Sequence, residues 1–526
     1  MPPLAALMET LRANNVSGER VLLALFLARA ARDTVSLVQR DGWRALVKRS
    51  LSVLISFSKA AIPGVAGLVA GEERAALQEL EDDLLGEGDA HANVAVPKKG
   101  VSAKAVEAEL LGFVDAQTNF NSGKQMGGIY HTAVSDLSAF QGRVWSKYAC
   151  SNALYPGVFP SVRKFEAELV KMVVGIVHGE ECGAVGLLAS GGTEAILLAA
   201  LSYRETGRAR GITRPRIIAG ISAHPAIFKA CHYFGIELVK VPVDASLRLT
   251  AAAVAPAIDA NTVAIYASAP SFSHGVVDEI EQLSELALSK GIGLHVDNCL
   301  GGFLLSYMSK EGLFTKPWDF AVRGVTTMSV DVHKYGMAPK GASICVFRDP
   351  AQRAATYVPS SEGCEGLYVT PTLQGSRSGA NMAVAWATVV HIGDDGYRKL
   401  ARDITASYRK LVKAVETIPE IGLATDAELG VVPLVGKGKL DIYALATLMT
   451  QKGWGIFTGQ KPKTLSLPIA EQAGATLDEM IKDLHESVEH LRKHPDTKPA
   501  GNAALCGGGH FCGRRAPLLA WRWAPF

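Results

Sequence analysis

In SVDVHKYGMAPKG (329–341), Lys334 follows His333, Tyr335 comes next, and Lys340 lies six residues beyond the first lysine. A primary amine condenses with an aldehyde, so a lysine near an anchored aldehyde cofactor can carry it as a Schiff base. Alone, the His-Lys pair reads equally as a solvated loop. In ASGGTEAILLAAL (189–201), two glycines and Thr193 open an apolar helix. The N–H groups and positive dipole end of such a turn cradle phosphate; a plain glycine-rich cap is the other reading. In GLHVDNCLGGF (293–303), an apolar run ends in Asp297. A carboxylate just past a strand's carboxyl end lies where open α/β sheets bind ligands, and there it can hold a pyridinium N–H. It also reads as a helix N-cap. The order decides: a glycine cradle, an aspartate about 100 residues on and a lysine about 40 further are the parts that pyridoxal 5′-phosphate requires.

These groups need a frame. From about 160 to 350 the chain alternates helix and strand. RKFEAELVKMVVGIVH sets Phe165, Leu169, Met172 or Val173, and Ile176 on one helical face. RIIAGI, ELVKVP, VAIYA, GLHV and VTTMSV are short apolar runs between turn signals, as in strands of a mainly parallel sheet buried on both faces. ASICVF follows as a candidate added strand. Beyond 350, YRKLARDITASYRKLVKAVETI carries Tyr397, Leu400, Ile404, Leu411, Val415 and Ile418 on its inner face. TLDEMIKDLHESVEHLRK carries Leu477, Ile481, Leu484, Val488 and Leu491. With VVPLV between them, they predict a smaller α+β domain. The fold class is therefore α/β, a large domain with a mainly parallel sheet plus a small C-terminal α+β domain. Its segments are a membrane-associated or targeting segment and linker (1–95), an arm (96–160), the large domain (161–350), the small domain (351–495) and a flexible tail (496–526).

The 526 residues are 48% apolar and 20% charged, with 52 glycines and a net charge of +3. That composition is globular, and nothing in the near-neutral balance points to a nucleic-acid surface. Eight scattered cysteines form no C-x-x-C pair and read as reduced thiols. Cys506, His510 and Cys512 have no fourth ligand at suitable spacing, so no metal is expected. LSVLISFSKAAIPGVAGLVA (51–70) has about the 20 residues a bilayer requires, weakened by Lys59 and Pro63. Arg40, Arg44, Lys48 and Arg49 precede it, suited to anionic lipid. Membrane attachment is expected; a buried or amphipathic helix is the bland alternative. A mitochondrial presequence is the other reading, since residues 1–50 carry eight Lys/Arg and four Asp/Glu.

SGGTEAILLA, SAHPAIFKACHYFG, HGVVDEI, LHVDNCLGGF, VDVHKYGMAPKG, GSRSG and DIYALATLMTQKGW together resemble the sphingosine-1-phosphate lyases, over roughly residues 100–495. These belong to the fold-type I group that includes pyridoxal-phosphate decarboxylases. The resemblance implies fold-type I architecture and cleavage of the C2–C3 bond of long-chain base 1-phosphates, to a fatty aldehyde and ethanolamine phosphate. It implies that Lys334 carries the cofactor, Asp297 bonds its ring nitrogen and His224 stacks on its face; His224 otherwise reads as a satisfied loop histidine. Gly192, Thr193 and His333 would hold the cofactor phosphate. Gly375 and Ser376 would reach it from a partner subunit, so the protein would be a homodimer with shared sites. Tyr130 and Lys340 would face the substrate's phosphate. Lys334, Tyr130 and Lys340 are thus the catalytic candidates. The implied location is the endoplasmic reticulum membrane with a cytosolic catalytic domain, with the mitochondrion as alternative. The chain departs from the family in SNALYPGVFPS, where Tyr155 replaces a common histidine and Ser161 a glycine. An amino-acid decarboxylase is the rival enzyme, and a non-catalytic membrane scaffold the rival of another class.

Overall fold

Apolar pentads that break at a small or polar residue build the central sheet of the computed structural model. The structure describes residues 96–116, 122–130, 135–364, 366–426, 429–471 and 473–500. All belong to the second of two units into which the chain divides, Ala95–Phe526. The expectations for residues 51–70, for the presequence and for the Cys506–Cys512 tail lie outside the described residues. Among the described residues, no helix is long and apolar enough to cross a membrane.

Seven strands form the large sheet: β1 (Val185–Ala189), β2 (Arg216–Gly220), β3 (Glu237–Val241), β4 (Thr262–Ser268), β5 (Gly293–Asp297), β6 (Thr327–Asp331) and β7 (Ser343–Phe347). Their order is β1-β7-β6-β5-β4-β2-β3. Strands β2 to β6 are parallel, and β7 runs antiparallel to both β6 and β1. Every residue of β4, β6 and β7 is buried, which is why these strands show no alternation. ASICVF is the added strand that the sequence suggests. VGLLA, which forms β1, escapes the pattern reading because five apolar residues alone do not distinguish strand from helix.

Register brings functional groups level. Ser268 pairs with Asp297 across β4 and β5, and Asp297 with Ser329 across β5 and β6. Asp331 then faces Ser343 across β6 and β7. Residues 332–342 therefore form a loop closed at its base by an antiparallel ladder. That loop carries His333, Lys334 and Lys340.

The Pro160–Ile176 helix buries Phe165, Leu169 and Val173, with Met172 and Ile176 half-buried. The helix expected from Tyr397 begins 18 residues earlier, at Gly379, and runs to Glu416. Its first half, GANMAVAWATVV, is buried nearly all round, so it lacks the amphipathic period that marks the second half. Gly393 interrupts it with φ 64° and ψ 177°, a backbone essentially restricted to glycine. A second sheet of antiparallel strands, β8 (Ile421–Leu423), β9 (Val431–Gly436), β10 (Phe457–Gln460) and β11 (Lys463–Pro468), follows in the order β10-β11-β9-β8. In the Ala473–Lys493 helix, Leu477, Met480, Leu484, Val488 and Leu491 are buried and Ile481 is half-buried. Trp454 Nε1 donates to Asp483 Oδ2 of that helix at 2.8 Å.

Candidate active site

The Gly192–Ala209 helix starts directly against the carboxyl ends of β5 and β6. A Cβ added at Gly192 would lie 2.6 Å from Cys299 Sγ and 2.8 Å from Asp331 Oδ1. Only glycine lets the helix approach so closely. Glu194 fixes the turn: its Oε2 accepts from Ser190 N at 2.6 Å and its Oε1 from Leu373 N at 3.1 Å. The first-turn N–H groups of a helix have no partner within it, so this end suits an anion.

A cavity of about 360 Å³ opens here, within the range of small-ligand sites. Six of the sequence-predicted residues line it: Gly192, Thr193, His224, Asp297, His333 and Lys334. They come from the helix start, the turn after β2, the end of β5 and the loop after β6.

Asp297 is buried and held on three sides. Tyr266 Oη donates to its Oδ2 at 2.5 Å, Ser329 Oγ to Oδ1 at 3.0 Å and Cys299 N to Oδ1 at 3.1 Å. Burial opposes its ionisation, but the His224 imidazole and the Tyr266 bond outweigh it and hold the carboxyl below its usual range. Asp297 therefore presents a fixed negative charge. His224 accepts from Ala226 N at 3.2 Å through Nδ1.

Lys334 Nζ lies 2.9 Å from Asp331 Oδ2. Burial disfavours the ammonium, yet the Asp331 charge prevails and raises its affinity for the proton. Asp331 is correspondingly held below the usual carboxylate range. His333 Nε2 lies 3.4 Å from the same carboxylate oxygen, and its Nδ1 accepts from Ala342 N at 3.3 Å.

The other four predicted residues do not line the cavity. Tyr130 is buried, packed edge-on against Tyr335 with ring centroids 5.0 Å apart. Lys340 Nζ stands 4.8 Å over the Tyr130 ring and donates to His333 O at 3.1 Å. Lys340 is exposed overall, but crowding of its ammonium end, with the nearby Lys334 charge, lowers it to about 8. Burial pushes the Tyr130 phenol up, partly offset by Lys334, so it keeps its proton. In the single chain, Gly375 and Ser376 lie on a neighbouring loop. Ser376 Oγ accepts from Asn152 Nδ2 at 2.9 Å, and a Cβ at Gly375 would meet Tyr368 Oη at 2.8 Å. Tyr155, on the Asn152 loop, is 56% exposed.

Sequence reading missed Asp331, Tyr266, Ser329, Cys299 and Glu194. For Asp331 a signal was present, since it ends an apolar strand run as Asp297 does. Tyr266 and Ser329 sit inside buried strands and carry none. Among the described residues, no cluster of His, Cys, Asp and Glu could hold a metal.

The parallel sheet, the glycine cradle, and the lysine and carboxylate at neighbouring strand ends define a pyridoxal-phosphate enzyme of fold type I. Residues 93–435 match the family model described as the pyridoxal-dependent decarboxylase conserved domain. The sphingosine-1-phosphate lyase 1 of Rattus norvegicus is 36% identical over 78% of this chain and 72% of its own. The Arabidopsis thaliana sphingosine-1-phosphate lyase is 35% identical over 92% and 89%. The Burkholderia pseudomallei sphingosine-1-phosphate lyase structure superposes with TM-score 0.73 at 34% identity, covering 75% of this chain and 92% of that one. A Lactobacillus brevis glutamate decarboxylase shares the fold, with TM-score 0.67 at 19% identity, over 76% and 94%. The chain belongs to the pyridoxal-dependent decarboxylase family and, within it, to the sphingosine-1-phosphate lyases. Its cofactor is pyridoxal 5′-phosphate, which the cavity fits: an amine, a buried carboxylate and an anion-seeking helix end share one hollow.

Proposed function

We propose that the protein is a carbon–carbon lyase that cleaves the C2–C3 bond of sphingosine or sphinganine 1-phosphate, releasing a fatty aldehyde and ethanolamine phosphate. Bound pyridoxal phosphate supplies the electron sink for the carbon that keeps the bonding pair. Lys334 would hold the cofactor and, as a free amine, would carry a proton at Nζ. Asp297 stays ionised and keeps the ring nitrogen protonated. His224, on the cavity wall, would cover one face of the cofactor ring. Gly192 and Thr193, at the helix start, and His333 hold the cofactor phosphate, and Gly375 and Ser376 complete that hold from the partner subunit of a homodimer. Tyr130, with its retained proton, and Lys340, with its charge, bind the substrate's phosphate end.

The observation that carries this reading is the meeting of Lys334 and Asp297 with the Gly192 helix start around one cavity. Exposed apolar side chains on the segments flanking Gly375, namely Leu367, Tyr368, Val369 and Leu373, support a partner surface there. We further propose membrane association through residues before 96, since a lipid substrate partitions into bilayers. The location is the endoplasmic reticulum with the catalytic unit in the cytosol; the mitochondrion is the alternative.

The test is to purify the full chain with its cofactor and supply a sphingoid base phosphate or amino acids in separate reactions. Fatty aldehyde from the first supports the lyase. Carbon dioxide from the second, without aldehyde, would replace it with a decarboxylase.

A further inference from the structure

The pairing of Lys334 with Asp331 has no role in the chemistry above. The groups facing Lys334 are Asp331 at the end of β6, Asp297 at the end of β5, Cys299 beyond it, Tyr130 from the arm and the neighbouring Tyr335, whose phenol burial keeps protonated. Lys340 adds a positive charge from its own loop. Burial raises the Cys299 thiol and the Tyr130 phenol, so both stay neutral. The two carboxylates remain. Asp297 is already held by three donors. Asp331 is not: its Oδ2 meets Lys334 at 2.9 Å and His333 at 3.4 Å, while its buried Oδ1 has no hydrogen-bond partner. The Ser343 hydroxyl, which donates to Val330 O at 3.2 Å, lies close enough to lower the Asp331 carboxyl further. Gly192, pressed against Asp331, offers no side chain.

We propose that Asp331 is a positioning residue that gates cofactor loading, clamping Lys334 as an ammonium until the aldehyde of pyridoxal phosphate arrives. This deepens the proposed function and rests on Lys334 being the cofactor lysine. Capture needs the free amine. One proton leaves the ammonium for solvent, Nζ adds to the aldehyde carbon, and the carbonyl oxygen departs as water with the two remaining amine protons. A carboxylate 2.9 Å away opposes the first of these steps, so loading is slow near neutrality and quickens with pH.

The experiment uses the full chain stripped of cofactor and mixed with pyridoxal phosphate. Imine absorbance is followed over time, and borohydride fixation with peptide mapping locates the attachment. The wild-type rate should climb about tenfold per pH unit from neutrality to beyond about pH 9, as expected of an amine titrating above that range. Asp331→Asn should capture at least about tenfold faster near neutrality and level off at lower pH. A wild-type rate that is flat above neutrality, or a variant no faster and with an unchanged profile, overturns the gate. If the variant does not fold, wild-type capture is set against that of a simple alkylamine of ordinary pKa: capture at Lys334 no slower than the model amine near neutrality overturns the gate. Absence of label at Lys334 in the wild type overturns the lysine assignment itself, a separate result from failure of the gate.

Discussion

At the residue scale, charge state organises the site. Asp297 is held ionised by His224 and Tyr266 against burial, so its value lies in a negative charge that no neutral isostere supplies. Asp297→Asn should retain the cofactor absorbance yet lose ~10²- to 10³-fold in kcat, the usual cost of one preorganised electrostatic group. Steady-state aldehyde release checks this. Lys340 is lowered to about 8, so it is charged below that pH and neutral above it. A phosphate monoester has its second pKa near about 6 and is already dianionic there. KM for the phosphorylated substrate should therefore rise as pH climbs through about 8, and Lys340→Met should raise KM at neutrality and flatten the rise. The Lys-Asp-glycine triad was legible in the sequence because each member ends or opens an element at a turn. Asp331 was legible in kind, but its pairing with Lys334 depends on the three-residue return of the loop after β6. Tyr266 and Ser329 look like ordinary strand residues until register sets them beside Asp297.

At the element scale, glycines set what can approach what. Gly192 admits Cys299 and Asp331 within 3 Å of where a side chain would begin. Gly192→Ala should shift the helix start, destabilising the fold by about 1–3 kcal/mol through overpacking and weakening cofactor retention. Denaturant melts and cofactor titration measure the two effects. Gly393 is a different case, since nothing lies within 4 Å of a Cβ added there. Any loss on Gly393→Ala comes from backbone alone, about 1–3 kcal/mol for a residue forced into that region. Helices with a sharp polar face, such as Ala473–Lys493, were readable from spacing. The first half of the Gly379–Glu416 helix was not, because burial on every side erases the period.

At the scale of the whole molecule, the proposed homodimer divides labour. In that proposal Lys334 would serve its own site, and Ser376 the neighbour's. Two inactive homodimers, Lys334→Ala and Ser376→Asp, should regain aldehyde release when unfolded together and reassembled. Each mixed dimer then has both lesions in one site and none in the other. If mixing restores nothing while sedimentation shows mixed dimers, the shared-site arrangement is wrong. Sheet class was legible because buried strands and amphipathic helices alternate visibly. Strand order was not, because it depends on which distant segments meet.

The position of β7 between β1 and β6 bears on how the protein is made. A ribosome releases β1 early, but β7, its neighbour in the sheet, emerges after the whole run of parallel crossovers has been translated. Until then the nascent chain carries an unpaired border beside a glycine turn with nothing to grip. Such distant pairing slows folding and leaves a sticky edge open to aggregation. Chains stopped short of residue 343 should accumulate with chaperones, whereas chains reaching past Phe347 can close the sheet.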